Sequence, residues 1–430
     1  MRRNIVPVLS LLMGTLFLFL GNGLHGLLLP VRGAEEGYSN EVLGLLGTAW
    51  ASGFVLGCFF APQLVKRIGH VRAFSSFISV IAIICLLSGL FVDQYAWVGL
   101  RAFTGFCTAG TSMIVESWLN ERATNESRGT IFSLYISITL FGVVGGQMLI
   151  PLGDPSTTTL FMACGIFYCL AMLPTTLSTA ASPQPLRSVK LDLRSLYRNS
   201  PVSFIGILLI GIANGAYGTL GAVFGARAGL QPGTIAIMMS TTIFMGAMMQ
   251  FPAGKLSDQI DRRYVLAGLS GVAALAALLL VVLQPHDATT MIILVACYGA
   301  TANALYPIAV AHANDFAGSD DFVKVSGGLL LLFGIGTIIG PTLGGPVMTH
   351  LGPYALFAVT AAAHVTLTSY ALFRSRRRAA IPASDRENFS SMQAATSPMG
   401  TQEGLNLDPR AAPLREQSIQ GDDGLQPGAR

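Results

Sequence analysis

Apolar residues in this chain neither alternate with polar ones at the period of a half-buried strand nor stripe one face of a helix. They come in near-continuous runs of about twenty residues, separated by short polar breaks. A run of that length, wound as a helix rising ~1.5 Å per residue, crosses the ~30 Å of a bilayer's hydrocarbon. Twelve runs are read, at residues 5–29, 42–64, 73–92, 95–118, 129–151, 157–178, 202–226, 232–252, 264–284, 288–311, 326–348 and 353–373. The pattern predicts an all-α membrane protein with twelve transmembrane helices.

The breaks differ in charge. Lys66, Arg67, Arg72, Arg122, Arg128, Arg194, Arg198, Lys255, Arg262, Arg263, Lys324 and Arg374 all fall in alternate loops or beside the termini, whereas Arg32 and Arg227 fall in the opposite set and Arg101 inside a span. Basic residues collect on the cytoplasmic side, so both termini are expected there and the bacterial inner membrane is the expected location. Composition agrees: 52% hydrophobic and 11% charged residues stand against ~25% charged in soluble domains. The net charge of +4 reflects orientation and makes no case for nucleic acid. The opening "MRRN" precedes an apolar run without a small-residue cleavage site, and it is read as the start of the first helix. All six cysteines lie within spans, so neither a disulfide framework nor a metal site is suggested. There is no HExxH, GxSxG or P-loop pattern, which disfavours an enzyme or a nucleotide-driven pump, and no cofactor is expected.

One stretch mimics a cofactor loop. "GNGLHG" from Gly21 to Gly26 satisfies GxGxxG, with Glu41 twenty positions on. The sixteen-residue apolar run before it is too long for the strand of ~5–6 residues that a dinucleotide turn should end. An internal repeat supplies another explanation. At an offset of 192, "GNGLHGLLLPVRGAEEG" meets "ANGAYGTLGAVFGARAG", pairing Asn22 with Asn214, Gly23 with Gly215, Gly26 with Gly218, Gly33 with Gly225 and Gly37 with Gly229. The shared element is NGxxG. Further on, "AFTGFCTAGTSMIVESWLNE" matches "ACYGATANALYPIAVAHAND" at offset 194, and "GGQMLIPLG" matches "GGPVMTHLG" at 199. The chain therefore divides into two pseudo-symmetric six-helix bundles at 1–178 and 202–373, a cytoplasmic linker at 179–201 with a short surface helix, and a disordered cytoplasmic tail at 374–430.

Two six-helix halves around a basic linker resemble the major facilitator superfamily. "GKLSDQIDRR" is similar to that family's GxLxDrxGRR signature, with Gly254, Leu256, Asp258, Arg262 and Arg263 in place and Asp261 where Gly is usual. The first-half counterpart "PQLVKRIGHVR" keeps Leu64, Arg67, Gly69 and Arg72, but has Pro62 for Gly and Lys66 for Asp. "VKRIGHVR", "VESW", "ESRG" and "LYPIAVAHAND" resemble the YcaD-like branch of bacterial transporters. The resemblance implies a secondary active, proton-coupled transporter working by alternating access, with spans one and seven lining its cavity and Arg101 a cavity charge. It also implies a cytoplasmic gate at Lys66, Arg67, Arg72, Arg128, Asp258, Arg262 and Arg263, facing Asp320 and Asp321 at the entry to span eleven. Lys66 is expected to pair with those two acids, and Asp258 to act near Arg128.

Charge inside hydrocarbon costs at least ~2.5–3.5 kcal/mol per residue, so Arg101 and Glu116 need a reason to be there. They are ~22 Å apart along one helix and cannot pair. Glu116 is either a proton-coupling site or a structural cap bonding Arg122 or Arg128. Asn22 and His25, with their mates Asn214 and Tyr217, share a helix face and are candidate solute contacts. Gln147, Gln250, Tyr298, Asn303 and Tyr306 are single polar residues in apolar spans, either cavity or packing. The expected partners are a small solute, a proton or other ion gradient and the bilayer, and a monomer is expected. Export of amphipathic compounds leads; uptake of a sugar-like or carboxylate solute, or a receptor on the same fold, is the alternative.

Overall fold

Hydrocarbon offers no water to backbone N–H and C=O groups, so each apolar run closes its hydrogen bonds internally as helix. The computed structural model describes residues 2–123, 127–176, 192–316, 322–377 and 401. Asp320 and Asp321, most of the linker and nearly all of the tail lie outside the described residues. The amino-terminal bundle comprises α1 (Arg2–Glu35), α2 (Asn40–Ile68), α3 (His70–Leu90), α4 (Gln94–Arg122), α5 (Arg128–Gln147) and α6 (Thr159–Thr176). The short α7 (Leu193–Asn199) is capped by Asp192, which accepts from the Ser195 N–H at 2.9 Å. The second bundle comprises α8 (Pro201–Arg227), α9 (Pro232–Gln259), α10 (Arg262–Leu283), α11 (Ala288–Ala302), α12 (Leu305–Asn314), α13 (Phe322–Leu351) and α14 (Leu356–Ser375). Eleven described helical spans are long and apolar enough to cross a membrane, and Thr159–Pro174 is a shorter apolar helix. The chain is a multi-pass membrane protein.

The repeat read in sequence recurs bond by bond. α1 and α8 both end in a Schellman turn: Gly37 and Gly229 take φ of 78° and 84°, Tyr38 N–H donates to the Gly33 carbonyl at 3.0 Å, and Leu230 N–H donates to that of Gly225 at 2.9 Å. Only glycine adopts that backbone cheaply, which accounts for two of the matched positions. Gly146 on α5 faces the Leu20 carbonyl of α1, and Gly340 on α13 faces the Ile212 carbonyl of α8; a Cβ would lie 2.2 and 2.1 Å from those oxygens. Leu20 and Ile212 are 192 apart, while Gly146 and Gly340 are 194 apart. The sequence alignment of this segment at 199 is therefore corrected by five residues. Contact between helices, rather than identity of the flanking "GG", sets the register.

Span ten departs from a single helix. α11 stops at Ala302 and α12 starts at Leu305. Pro307 lacks an N–H for the carbonyl of Asn303 four residues back, and its ring collides with that carbonyl, so the chain breaks there. The break leaves Asn303 at membrane depth with its side chain turned to α9, where Nδ2 donates to the Thr242 carbonyl at 3.2 Å.

The face bearing the termini carries an ion-pair cluster within the second bundle. Arg262, 1% exposed, pairs with Asp315 at 2.9 Å and with Asp258 at 3.5 Å. Arg263 pairs with Asp261 at 2.7 Å and donates to the Arg374 carbonyl at 3.1 Å, tying α10 to α14. Asp258 thus meets Arg262 within its own segment of the chain. Lys66, Arg67 and Arg72 are exposed at the same face. Burial pushes the Asp261 carboxyl up, but the hydrogen bonds from Arg263 outweigh it and hold the carboxyl below its ordinary 3.8. A depressed pKa adds stability that is complete above the ordinary value and is lost as pH falls through the depressed one. Melting curves of the purified protein between about pH 5 and 3 should show this acid-side loss reduced in Asp261→Asn; an unchanged slope would assign the loss to other groups.

Candidate functional site

The two bundles enclose between them a cavity of about 190 Å³. That is smaller than the ~300–1,000 Å³ of drug-sized pockets, so its occupant is small. Asn22 and Gly26 reach it from α1, and their repeat mates Asn214 and Gly218 from α8. Trp50 of α2, Arg101 of α4 and Gln147 of α5 complete one wall. Tyr217, Met239 and Thr242, Tyr298, Asn303 and Thr337 form the other.

Local sequence explains the shared face. Asn22 and Gly26 are four apart and stack on one side of α1, and a glycine one turn from an asparagine opens space beside the amide. At Gly26 and Gly218 a Cβ would meet nothing within 4 Å. The neighbouring Gly23 and Gly215 do the opposite job: a Cβ would lie 2.2 Å from the Val143 carbonyl oxygen and 2.5 Å from Thr337 Cα. NGxxG thus combines a polar contact, a close helix crossing and an open space in five residues.

The structure separates the residues singled out in sequence. Asn22, Arg101, Gln147, Asn214, Tyr217, Tyr298 and Asn303 line the cavity. His25, Gln250 and Tyr306 are buried and lie outside the lining. The position three residues after the asparagine sits at the edge of the cavity face. Tyr217 is long enough to reach it, meeting the Thr242 hydroxyl at 2.8 Å and the Tyr298 ring at 5.4 Å between centroids. His25 instead packs inward beside Cys85. Tyr306 stacks edge-on against Phe333 at 4.9 Å in the second bundle's core.

Glu116 is also away from the cavity lining. It is 1% exposed, accepts the Tyr135 hydroxyl at 3.0 Å and bonds the Thr401 hydroxyl. Trp50, Thr242 and Thr337 were not legible as site residues. A threonine in an apolar span ordinarily bonds its own preceding turn, and Thr242 does so as well, to the Met238 carbonyl at 2.9 Å.

The halves are joined at the face away from the termini. Arg227 donates to the Tyr38 carbonyl at 2.6 Å and to the Asn40 side chain at 3.3 Å; Thr48 meets the Thr342 hydroxyl at 2.9 Å. Ser240 donates to Gln147 at 2.8 Å. At Gly44 a Cβ would lie 2.6 Å from the Pro341 carbonyl oxygen, and at Gly345 2.7 Å from that of Asn40. This far face is sealed over the cavity.

The fold and cavity have counterparts among known proteins. A family model described as Major Facilitator Superfamily matches residues 11–249 and 203–416. An uncharacterised MFS-type transporter, YcaD, of Escherichia fergusonii is 26% identical over 357 residues, spanning 83% of this chain and 92% of that protein. An uncharacterised MFS-type transporter of Yersinia pestis is 24% identical over the same length and shares. Among solved structures, the nucleoside transporter NupG superposes with a TM-score of 0.69 at 15% identity, covering 85% of this chain and 98% of that one. A bacterial homologue of the human lysosomal transporter Spinster, inward-facing and occupied, gives 0.69 at 16% identity, covering 88% and 97%.

Proposed function

The chain belongs to the major facilitator superfamily, a family of transporters rather than enzymes, and from that premise we propose that it carries a small amphipathic solute by proton-coupled alternating access. One observation carries the reading: a cavity at the junction of two repeats, lined by matching positions of each, among them Asn22 with Gly26 and Asn214 with Gly218. A site on the pseudo-symmetry axis can be exposed to either face by rocking one half against the other. The far face is sealed by Arg227, Thr48 and Gly44, and these contacts must part for the opposite state.

Glu116 is the proposed proton-coupling group. It is the one acidic residue buried within a span among the described residues, and Tyr135 binds its carboxylate from α5. A carboxylate held by donors keeps its charge; loss of those donors as the helices shift favours protonation. Export is the proposed direction, with both termini in the cytoplasm as the basic loops indicate, and uptake of a carboxylate or sugar-like solute is the competing one. The protein is proposed to act as a monomer in the inner membrane.

Purified protein in liposomes containing a pH-sensitive dye tests this. Wild type should couple solute flux to proton movement, and Glu116→Gln should still exchange solute without moving protons. Binding without gradient-driven flux in the wild type would make the protein a receptor; proton movement undiminished in Glu116→Gln would remove that residue from coupling.

A further inference from the structure

We infer that the solute is a small monoanion, an amphipathic carboxylate that docks on the Arg101 guanidinium. The inference rests on the transport reading above only in placing the solute in the central cavity.

Several polar groups lining the cavity are already satisfied by protein. Tyr217 bonds Thr242, Asn303 donates to the Thr242 carbonyl, and Gln147 accepts from Ser240. The Trp50 indole N–H, the Tyr298 hydroxyl and Arg101 lack a hydrogen-bond partner among the described residues, and of these only Arg101 is charged. Its Nε and Nη1 are buried with no hydrogen-bond partner among the described residues, and its guanidinium lies 5.8 Å from the Trp50 ring centre. The ring face offers a cation modest compensation, less than a counter-ion would. No acidic side chain lines the cavity among the described residues, and the ionisable neighbours acting on Arg101 are the Tyr168 hydroxyl and the Cys85 thiol. Glu116 lies on the same helix but ~22 Å away along its axis.

A cation at membrane depth without a carboxylate is costly. A solute that brings the missing negative charge converts that cost into binding energy, because both charges are then neutralised out of water. Arg101 is the one cation in the lining among the described residues, so the charge it balances is a single one, and a doubly charged phosphomonoester would leave an excess. The apolar part of the solute has Trp50, Tyr217 and Met239 to lie against. The class is therefore a compact aryl or alkyl monocarboxylate.

The test uses four probes with a common phenylethyl skeleton, 3-phenylpropionate, its amide, its amine analogue and 2-phenylethyl phosphate, titrated into the detergent-solubilised full chain and followed by calorimetry. The carboxylate should bind roughly tenfold or more tighter than the amide, since charged hydrogen bonds are worth ~1.5–3 kcal/mol. The amine should be excluded and the phosphate should bind more weakly than the acid. In Arg101→Gln the preference for acid over amide should vanish, while Arg101→Lys should retain part of it. Should Arg101→Gln fail to fold, the acid, amide and amine series on the wild type still decides. Equal binding of acid and amide, an acid preference surviving in Arg101→Gln, tighter binding of the phosphate, or no acid bound at all would each overturn the inference. Gradient-driven flux of the neutral amide but not the acid would leave the transport reading standing and sink this one.

Discussion

Gly218→Phe should fold and insert like the wild type and yet bind no solute. Gly218 and its repeat mate Gly26 both line the cavity, and at each a Cβ enters open space, with nothing within 4 Å. A phenyl ring there occupies volume that the cavity of about 190 Å³ offers to the solute. Helix contacts are left alone, because the crossing is made one face over, at Gly23 and Gly215. The variant should therefore elute as a monodisperse species with an unchanged melting temperature. Binding and flux should drop by orders of magnitude, each ~1.4 kcal/mol of lost contact being tenfold. Gly26→Phe should behave likewise. If either variant transports normally, the cavity is not the route, whatever its symmetry.

Gly340→Val sends the effect to the opposite place, into the fold. Its Cβ would sit 2.1 Å from the Ile212 carbonyl oxygen, and neither helix can relieve this by turning a side chain. α8 and α13 would have to separate, and in lipid such close packing is itself what holds helices together. Overpacking typically costs ~1–3 kcal/mol, and a clash with backbone belongs at the upper end. Gly146→Val should do the same to α1 and α5, where the clash is with the Leu20 carbonyl at 2.2 Å. The two sites lie in different bundles and share no partner, so their effects should add. Thermal unfolding in detergent, with Gly26→Ala as a neutral control, reads the difference. A melting temperature for Gly340→Val equal to that control would mean that the helix crossing is not tight.

The same contrast separates what was legible in the chain from what was not. Twelve apolar runs were readable because a bilayer demands length and apolarity of each segment separately, a local requirement. The duplication was readable because NGxxG and the terminal glycines answer local backbone demands twice, as the paired Schellman turns at Gly37 and Gly229 demonstrate. The two halves and Arg101's presence at depth follow from the sequence in the same way.

Which side of a helix meets which neighbour was not local. His25 and Tyr217 occupy matched positions, yet only the tyrosine reaches the cavity, because side-chain length and the packing around Cys85 decide it. Pro307 was visible in the sequence, but its consequence, Asn303 turned toward α9 at the break, depends on Thr242 being there to accept. The repeat alignment of α5 with α13 was misread by five residues because sequence alignment rewards identical glycines, whereas the fold rewards the glycine that faces a carbonyl.

The sequence by itself determined that this protein crosses the membrane repeatedly, is built twice over, and places a cation inside a span. The tertiary structure alone decided that Arg101 faces a cavity shared by both halves while Glu116 is held by Tyr135 outside it. The physical reason is that membrane insertion and helix ends are set by each segment's own chemistry, but a cavity is the space left where segments far apart in sequence fail to touch.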